Sequence, residues 1–157
     1  MKIVIGCDPF AADLKQVLIK HCRARGVEVL DVDPGPEATY YEVAQLACRK
    51  IQTKEAERGI LLCGTGAGVA IVANKLAGIV AVTVESPFTA RRARAINDAN
   101  VMALGAMVVT PQIACEMADA WLDTAFTSGL EEIAGFLRQA VTEVAKIDRA
   151  NRAPLQD

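Results

Sequence analysis

Aromatic side chains are scarce in this chain, with four Phe, two Tyr and one Trp among 157 residues. Single-stranded nucleic acid is held on stacked aromatic platforms, and too few rings are present to build one. Histidine is scarcer still: His21 stands alone, so nothing supports a histidine-built metal centre. A formal net charge of −2 offers no general attraction to nucleic acid or to anionic membranes. Long apolar runs are missing as well. The longest stretches are interrupted by Lys75 and Glu85, short of a membrane span. No leader pattern opens the chain, because strand-like alternation begins at Lys2 and no cleavage-site signature follows. The five cysteines, Cys7, Cys22, Cys48, Cys63 and Cys115, are odd in number and never closer than fifteen residues apart. That spacing fits reduced thiols in a cytoplasmic protein better than a disulfide frame or a zinc site.

What is present is an apolar fraction of 52%, rich in Ala, Val, Ile and Leu, with 23% charged residues. A chain of this size buries roughly two-thirds of its unfolded surface in one domain. The pattern predicts one domain over residues 1–152 and a tail at 153–157. Lys2-Ile-Val-Ile-Gly-Cys-Asp8, Val27 to Val32, Gly59 to Cys63, Ile79 to Val84 and Val101 to Leu104 read as strands. The continuous apolar character of the first and third suits parallel strands covered on both faces. Helical spacing marks Phe10 to Arg25, Tyr40 to Ile51, a segment from the glycine-rich turn through Lys75, Ser86 to Asp98, Thr110 to Leu122, and Leu130 to Arg152. Ser86 before Pro87, and Thr110 before Pro111, are start signals. Strands alternating with helices predict an α/β fold: a three-layer α/β/α sandwich on a five-stranded parallel, Rossmann-like sheet, with a long C-terminal helix.

Ligands of open parallel sheets bind beyond the carboxyl ends of the strands. Two features point there: Asp8 after the first strand, and Cys63-Gly-Thr-Gly-Ala-Gly68 after the third. Glycines let backbone N–H groups approach a phosphate, a carboxylate or an enediolate oxygen. By itself such a turn is equally well a tight connection, and its Gly-x-Gly-x-Gly spacing is a poor dinucleotide fingerprint. Cys63, at a strand end before a helix, is placed as a base; the other four cysteines read as buried and inert. His21 reads as a surface or half-buried side chain. Arg91, Arg92 and Arg94 read as a solvated helix face, with positive charge for an anionic ligand or a partner subunit as the alternative.

The segments Ile-Gly-Cys-Asp8, Ile-Leu-Leu-Cys-Gly-Thr-Gly-Ala-Gly68, Ala73-Asn-Lys-Leu-Ala-Gly78, Arg94-Ala-Ile-Asn-Asp-Ala-Asn100-Val and Ala103-Leu-Gly105, with Asp119-Ala-Trp-Leu122, resemble the type-B ribose-5-phosphate isomerase and galactose-6-phosphate isomerase family, in register from Met1 to about Trp121. The resemblance implies a metal-free, cofactor-free aldose–ketose isomerase working through a cis-enediolate, with sites at a dimer interface. It implies Cys63 as the proton-transferring base and Thr65 as its helper in orienting the intermediate. Gly64, Gly66, Ala67 and Gly68 would form the oxyanion cradle. Asp8 and Tyr40 would bind the sugar, and Asn97 would come from the neighbouring subunit.

The departures concern the other end of the substrate. Pro9 and Ile96 stand where the family has histidines, Met107 where it has an arginine, and Ser128-Gly-Leu-Glu-Glu-Ile133 where it has an Arg-His segment. Two or three lost arginine–phosphate contacts amount to several kcal/mol at roughly 1.5–3 per charged hydrogen bond. The expected substrate is therefore an open-chain, non-phosphorylated or carboxylated sugar rather than ordinary ribose 5-phosphate. Two other readings use the same pocket: a half-active subunit that pairs with a complete paralogue, and a sugar-binding regulatory module. A homodimer or tetramer is expected, with a small sugar or sugar phosphate as partner, and neither nucleic acid nor membrane.

Overall fold

Six residues from Lys2 to Cys7 form strand β1, and all but the first are buried, as a strand flanked by helices on both faces requires. The elements that follow are α1 (Ala12–Ala24), β2 (Glu28–Val32), α2 (Tyr40–Gln52), β3 (Arg58–Cys63), α3 (Ala67–Ala73), β4 (Ala81–Thr83), α4 (Pro87–Asn97), β5 (Val101–Gly105), α5 (Pro111–Leu122) and α6 (Ala134–Arg152). The computed structural model describes residues 1–152, and the tail expected at 153–157 lies outside them. All five strands are parallel in the order β2-β1-β3-β5-β4.

Alternate residues of each strand feed two apolar layers. Ile3, Ile5, Ile60, Leu62, Met102 and Leu104 meet α1, α4 and α5 around Trp121. Val4, Leu61, Cys63, Val101 and Ala103 meet α2 and α3. The three-layer sandwich is thus the one the sequence predicts. From β1 the chain moves outward to β2, then returns to β3 on the other side of β1. The helix after β1 and the helix after β3 therefore lie on opposite faces, which makes the β1/β3 boundary the topological switch point.

Four boundaries differ from expectation by more than one residue. The first helix is preceded by a 3₁₀ turn at Pro9–Ala11. α3 stops at Ala73 rather than Lys75, because the Asn74 side chain turns away to β4: its Nδ2 donates to the Ala81 carbonyl and its Oδ1 accepts the Ala81 N–H, both at 2.8 Å. β4 is shorter than Ile79 to Val84, since the amide of Val80 is taken by the Asn100 side chain at 2.8 Å instead of by a strand. The terminal helix starts at Ala134, after a left-handed Gly129 and a 3₁₀ turn at Glu131–Ile133.

α6 buries Ala134 and Leu137 and leaves Phe136, Val144 and Ile147 exposed. It borders a largely apolar groove of about 320 Å³ whose other wall includes Ile79, Val80, Ile96 and Asn97. No helix among the described residues is long and apolar enough to cross a membrane.

Candidate active site

The carboxyl ends of β1 and β3 stand side by side, because Cys7 pairs with Leu62. β3 closes on Cys63, and Gly64-Thr65-Gly66 turns the chain into α3. The Gly66 N–H donates to Cys63 Sγ at 3.2 Å, and the Ala67 N–H to Thr65 Oγ1 at 3.4 Å. Cys63 is 6% exposed and shares its apolar cluster with Leu61, Val69 and Ala70, so the sulfur sits on the floor of the turn. Thr65 and Ala67 are exposed above it, while Gly64 and Gly68 are half-buried.

Three close approaches explain why the turn is built from glycine. Gly66 has φ 79°, in the left-handed region, and a Cβ there would also stand 2.8 Å from the Leu104 carbonyl carbon. From the opposite side, a Cβ on Gly105 would stand 2.6 Å from the carbonyl carbon of Thr65. The turn and the end of β5 are therefore in backbone contact. Ala106 and Met107 donate their N–H groups to the carbonyls of Cys63 and Gly64, each at 2.9 Å. Tyr40, at the start of α2, lays its ring over Gly68, where a Cβ would come within 3.1 Å of two ring carbons. Thr39 holds that start in place by a capping box with Glu42.

Asp8 follows β1 directly and is half-buried. Its Oδ1 is fully buried and accepts no hydrogen bond from the protein. A buried, unbonded carboxylate oxygen is costly, and a hydroxyl donor brought by a ligand would satisfy it. Beside it lies a cavity of about 510 Å³ bounded by Cys7, Asp8, Pro9, Lys15, Gln16 and Asp33 among others. A larger depression of about 570 Å³ on the outer side of α2 is lined by none of the residues expected to touch substrate.

Burial pushes the thiols of Cys7 and Cys22 up to about 11 and that of Cys48 to about 12, and raises Cys115 as well. These four are held as neutral thiols at ordinary pH. Among the described residues no cluster of His, Cys, Asp and Glu is arranged to hold a metal.

Asp8, Tyr40 and the Cys63–Gly68 turn thus come together at the switch point. Asn97 does not join them within one chain. It ends α4, which returns antiparallel to the strands, and so lies towards their amino ends beside Ile79, Val80 and α6. Of the α4 arginines expected on a solvated face, Arg91 is exposed and Arg92 half-exposed, and only Arg94 corrects the expectation. Arg94 is 6% exposed: it donates to the Ala99 carbonyl at 2.7 Å and pairs with Asp98 at 2.9 Å, tying off the helix end. Arg92 lies over the Phe88 ring at 5.3 Å, and Arg91 lines a groove with Glu116, Asp119 and Asp123. His21 is half-buried and bonded to Asp119 at 2.6 Å on the α1/α5 seam.

Sequence reasoning missed Lys15. Its side chain is buried against the cavity, with Nζ 2.9 Å from Asp31 and 3.7 Å from Asp33. Burial works to lower its pKa, but the hydrogen bond and charge of Asp31, with Cys7 and Asp33, outweigh it and hold the ammonium above its ordinary value. The available signal was a lysine on the apolar side of α1, between Leu14 and Leu18. Phe10 was also missed as a site neighbour: with Met107 it flanks Gly64, where a Cβ would lie 3.3 Å from Met107 Sδ and 3.9 Å from Phe10 Cδ1.

Known proteins share this fold and sequence. A family model described as Ribose/Galactose Isomerase matches residues 3–134. A 4-deoxy-4-sulfo-D-erythrose isomerase from a Clostridium species is 41% identical over 154 residues, covering 96% of this chain and 97% of that protein. A D-erythrulose-4-phosphate isomerase from Pectobacterium atrosepticum is 43% identical over 132 residues, covering 82% of this chain and 87% of that one. Among solved structures, ribose-5-phosphate isomerase B of Clostridium thermocellum superimposes with a TM-score of 0.88 at 34% identity, covering 96% of this chain and 99% of that one.

Proposed function

This chain belongs to the ribose/galactose isomerase family, and from that membership we propose that it interconverts an open-chain aldose and its ketose through a cis-enediolate. The Cys63 thiolate takes the proton from C2 of the aldose. The C–H electrons form the C1=C2 bond, and the former carbonyl oxygen becomes an oxyanion sheltered by the backbone of Gly64, Gly66, Ala67 and Gly68. The hydroxyl proton on O2 passes to O1, the thiol returns its proton to C1, and the ketose results. Thr65 orients the intermediate, Asp8 accepts hydrogen bonds from sugar hydroxyls, and Tyr40 closes one wall. The observation that carries this reading is the pairing of a sulfur bonded by the Gly66 N–H with an unsatisfied, buried oxygen of Asp8 on the neighbouring strand. Donors already in place when charge develops are the largest source of catalysis for such an oxyanion.

The substrate class follows from ring chemistry. Two relatives are named for four-carbon sugars substituted at C4. A tetrose whose C4 carries sulfonate or phosphate has no C4 hydroxyl with which to close a five-membered ring. It stays open, so the enzyme needs no ring-opening group, in keeping with Ile96. We assign this chain a C4-substituted tetrose and its tetrulose. Five cysteines without a disulfide suit a reducing cytoplasm.

The working unit is a homodimer or a higher oligomer built from it, with Asn97 of one copy completing the site of the other. Support comes from the separation of Asn97 from Cys63 and from the exposed Phe136, Val144 and Ile147 of α6. One experiment tests base and assembly together. Cys63→Ala and Asn97→Ala proteins are prepared separately, then unfolded, mixed and refolded. Solvent deuterium incorporation into the tetrose is followed throughout. Each variant alone should be inactive, and the mixture should regain about a quarter of wild-type exchange, because half the dimers are mixed and each carries one complete site. No recovery on mixing would place Asn97 in its own chain's site. Undiminished exchange by Cys63→Ala would remove the thiolate as base.

A further inference from the structure

Resting on that reading, we infer that the walls this chain contributes to its site select a substrate whose far end carries at most one negative charge, a sulfonate-type monoanion rather than a phosphate dianion. With C1 and C2 over the Cys63–Gly66 turn and hydroxyls at Asp8, the rest of the substrate has two ways to run. Neither offers an uncommitted cation.

The first way lies across Gly64, between Phe10 and Met107. Both side chains are largely exposed, at 64% and 70%, with exposed Val108 beside Met107 and Pro9 beside Phe10. Their closeness to Gly64, 3.3 Å for Met107 Sδ and 3.9 Å for Phe10 Cδ1 from a Cβ placed there, makes them a wall of the mouth rather than isolated surface residues. This wall is apolar. It suits the methylene of a substituted C4 and a weakly hydrated, delocalised monoanion. A compact dianion would have to shed water there with no charged donor in return.

The second way leads into the cavity beyond Asp8. Its one ammonium, Lys15, is 3% exposed and already bonded to Asp31, with Asp33 close by. Asp31 and Asp33 already hold that single cation, and Asp8 adds a third carboxylate to the same region. All three carboxylates and Lys15 lie close enough to act on the Cys7 thiol, which is raised chiefly by burial, lowered by Lys15 and raised by Asp8, Asp31 and Asp33. Each further negative charge on a ligand meets an acidic field here. The arginines of α4 do not change this, since Arg94 is buried in its own helix cap, Arg92 lies on Phe88, and Arg91 lines a separate groove with Glu116, Asp119 and Asp123.

The test uses the ionisation of phosphate itself. A sulfonate is a monoanion across the whole neutral range, whereas a phosphate monoester gains its second charge near pH 6. The wild-type enzyme is assayed with tetrose 4-phosphate and with the 4-deoxy-4-sulfonate at each pH. The ratio of the two kcat/KM values cancels the enzyme's own titrations. If only the monoanion is accepted, the ratio falls by about fiftyfold between pH 6 and pH 8, following the monoanionic fraction. Met107→Arg, at an exposed position that tolerates a long side chain, should raise the ratio at pH 8 by tenfold or more, about 1.4 kcal/mol. A ratio that stays level or rises with pH overturns the inference. An unchanged ratio at pH 8 in Met107→Arg overturns the assignment of Met107. Failure to turn over either sugar at any pH would instead bring down the isomerase reading beneath it, a result distinct from a level ratio.

Discussion

Replacing Gly105 by alanine tests the contact that holds the proposed catalytic turn in place. The added Cβ would lie 2.6 Å from the Thr65 carbonyl carbon, 2.7 Å from its oxygen and 2.8 Å from Val108 Cγ2. Two of those three atoms are backbone, so no rotamer change relieves them. Restoring ordinary contact means separating the end of β5 from the turn by about 0.8 Å, and overpacking of this kind costs about 1–3 kcal/mol. For a chain of this length that lowers Tm by about 2–12 °C, at 2–4 °C per kcal/mol. Catalysis should suffer more than stability, because the displaced atoms belong to the turn that holds Cys63 and its Gly66 donor. Misplacement of about 1 Å costs on the order of a hundredfold in rate. The assays are thermal melting and solvent deuterium incorporation into a C4-substituted tetrose, with Gly135→Ala as control. Gly135 lies in α6 with no atom within 4 Å of its would-be Cβ. That substitution should be neutral or stabilise by up to about 1 kcal/mol. Wild-type Tm together with wild-type exchange in Gly105→Ala would refute the proposed rigidity of the contact. A lowered Tm with undiminished exchange would show that β5 and Val108 yield while the turn stays put.

Lys15→Met should destabilise the protein by about 1.5–3 kcal/mol at neutral pH, the range for a hydrogen bond to a charged group. The folded state holds Lys15 above its ordinary value of 10.5, so its contribution is complete below that pH and fades as the pH rises through the higher folded value. Urea titrations should therefore show the gap between wild type and variant narrowing above pH 10.5, and a constant gap would contradict the ion pair. Asn74→Ala removes both side-chain bonds to Ala81. It should cost about 1–3 kcal/mol for the unpaired backbone groups. Amide exchange at Ala81 should accelerate, and an unchanged rate there would mean that β4 is held by β5 alone.

The motifs that identify the family fall into two classes that only the coordinates separate. Cys63-Gly-Thr-Gly-Ala-Gly68 and Asp8 make up the proposed site. Asn74, Arg94 and Asn100 instead fasten the β4 edge and the end of α4, through bonds to Ala81, Ala99, Gly78 and Val80. A pattern of residues carries no mark telling a ligand-facing asparagine from one that substitutes for a strand. The short β4 and the early end of α3 escaped the sequence for the same reason, since each is decided by a side chain reaching another element.

Alternation of buried apolar strands with capped amphipathic helices was enough to determine the layered parallel sheet, because period and capping are local properties of the chain. The glycine-rich turn after a cysteine was equally plain, its parts being contiguous. Tertiary structure decided the rest: that β1 and β3 are the neighbours at which the winding reverses, bringing Asp8 to the turn, and that Phe10 and Met107 meet over Gly64 from distant loops. It also decided that Lys15 and Arg94 are buried and committed. Burial and charge balance depend on which segments become neighbours in space, and no window of sequence contains that information.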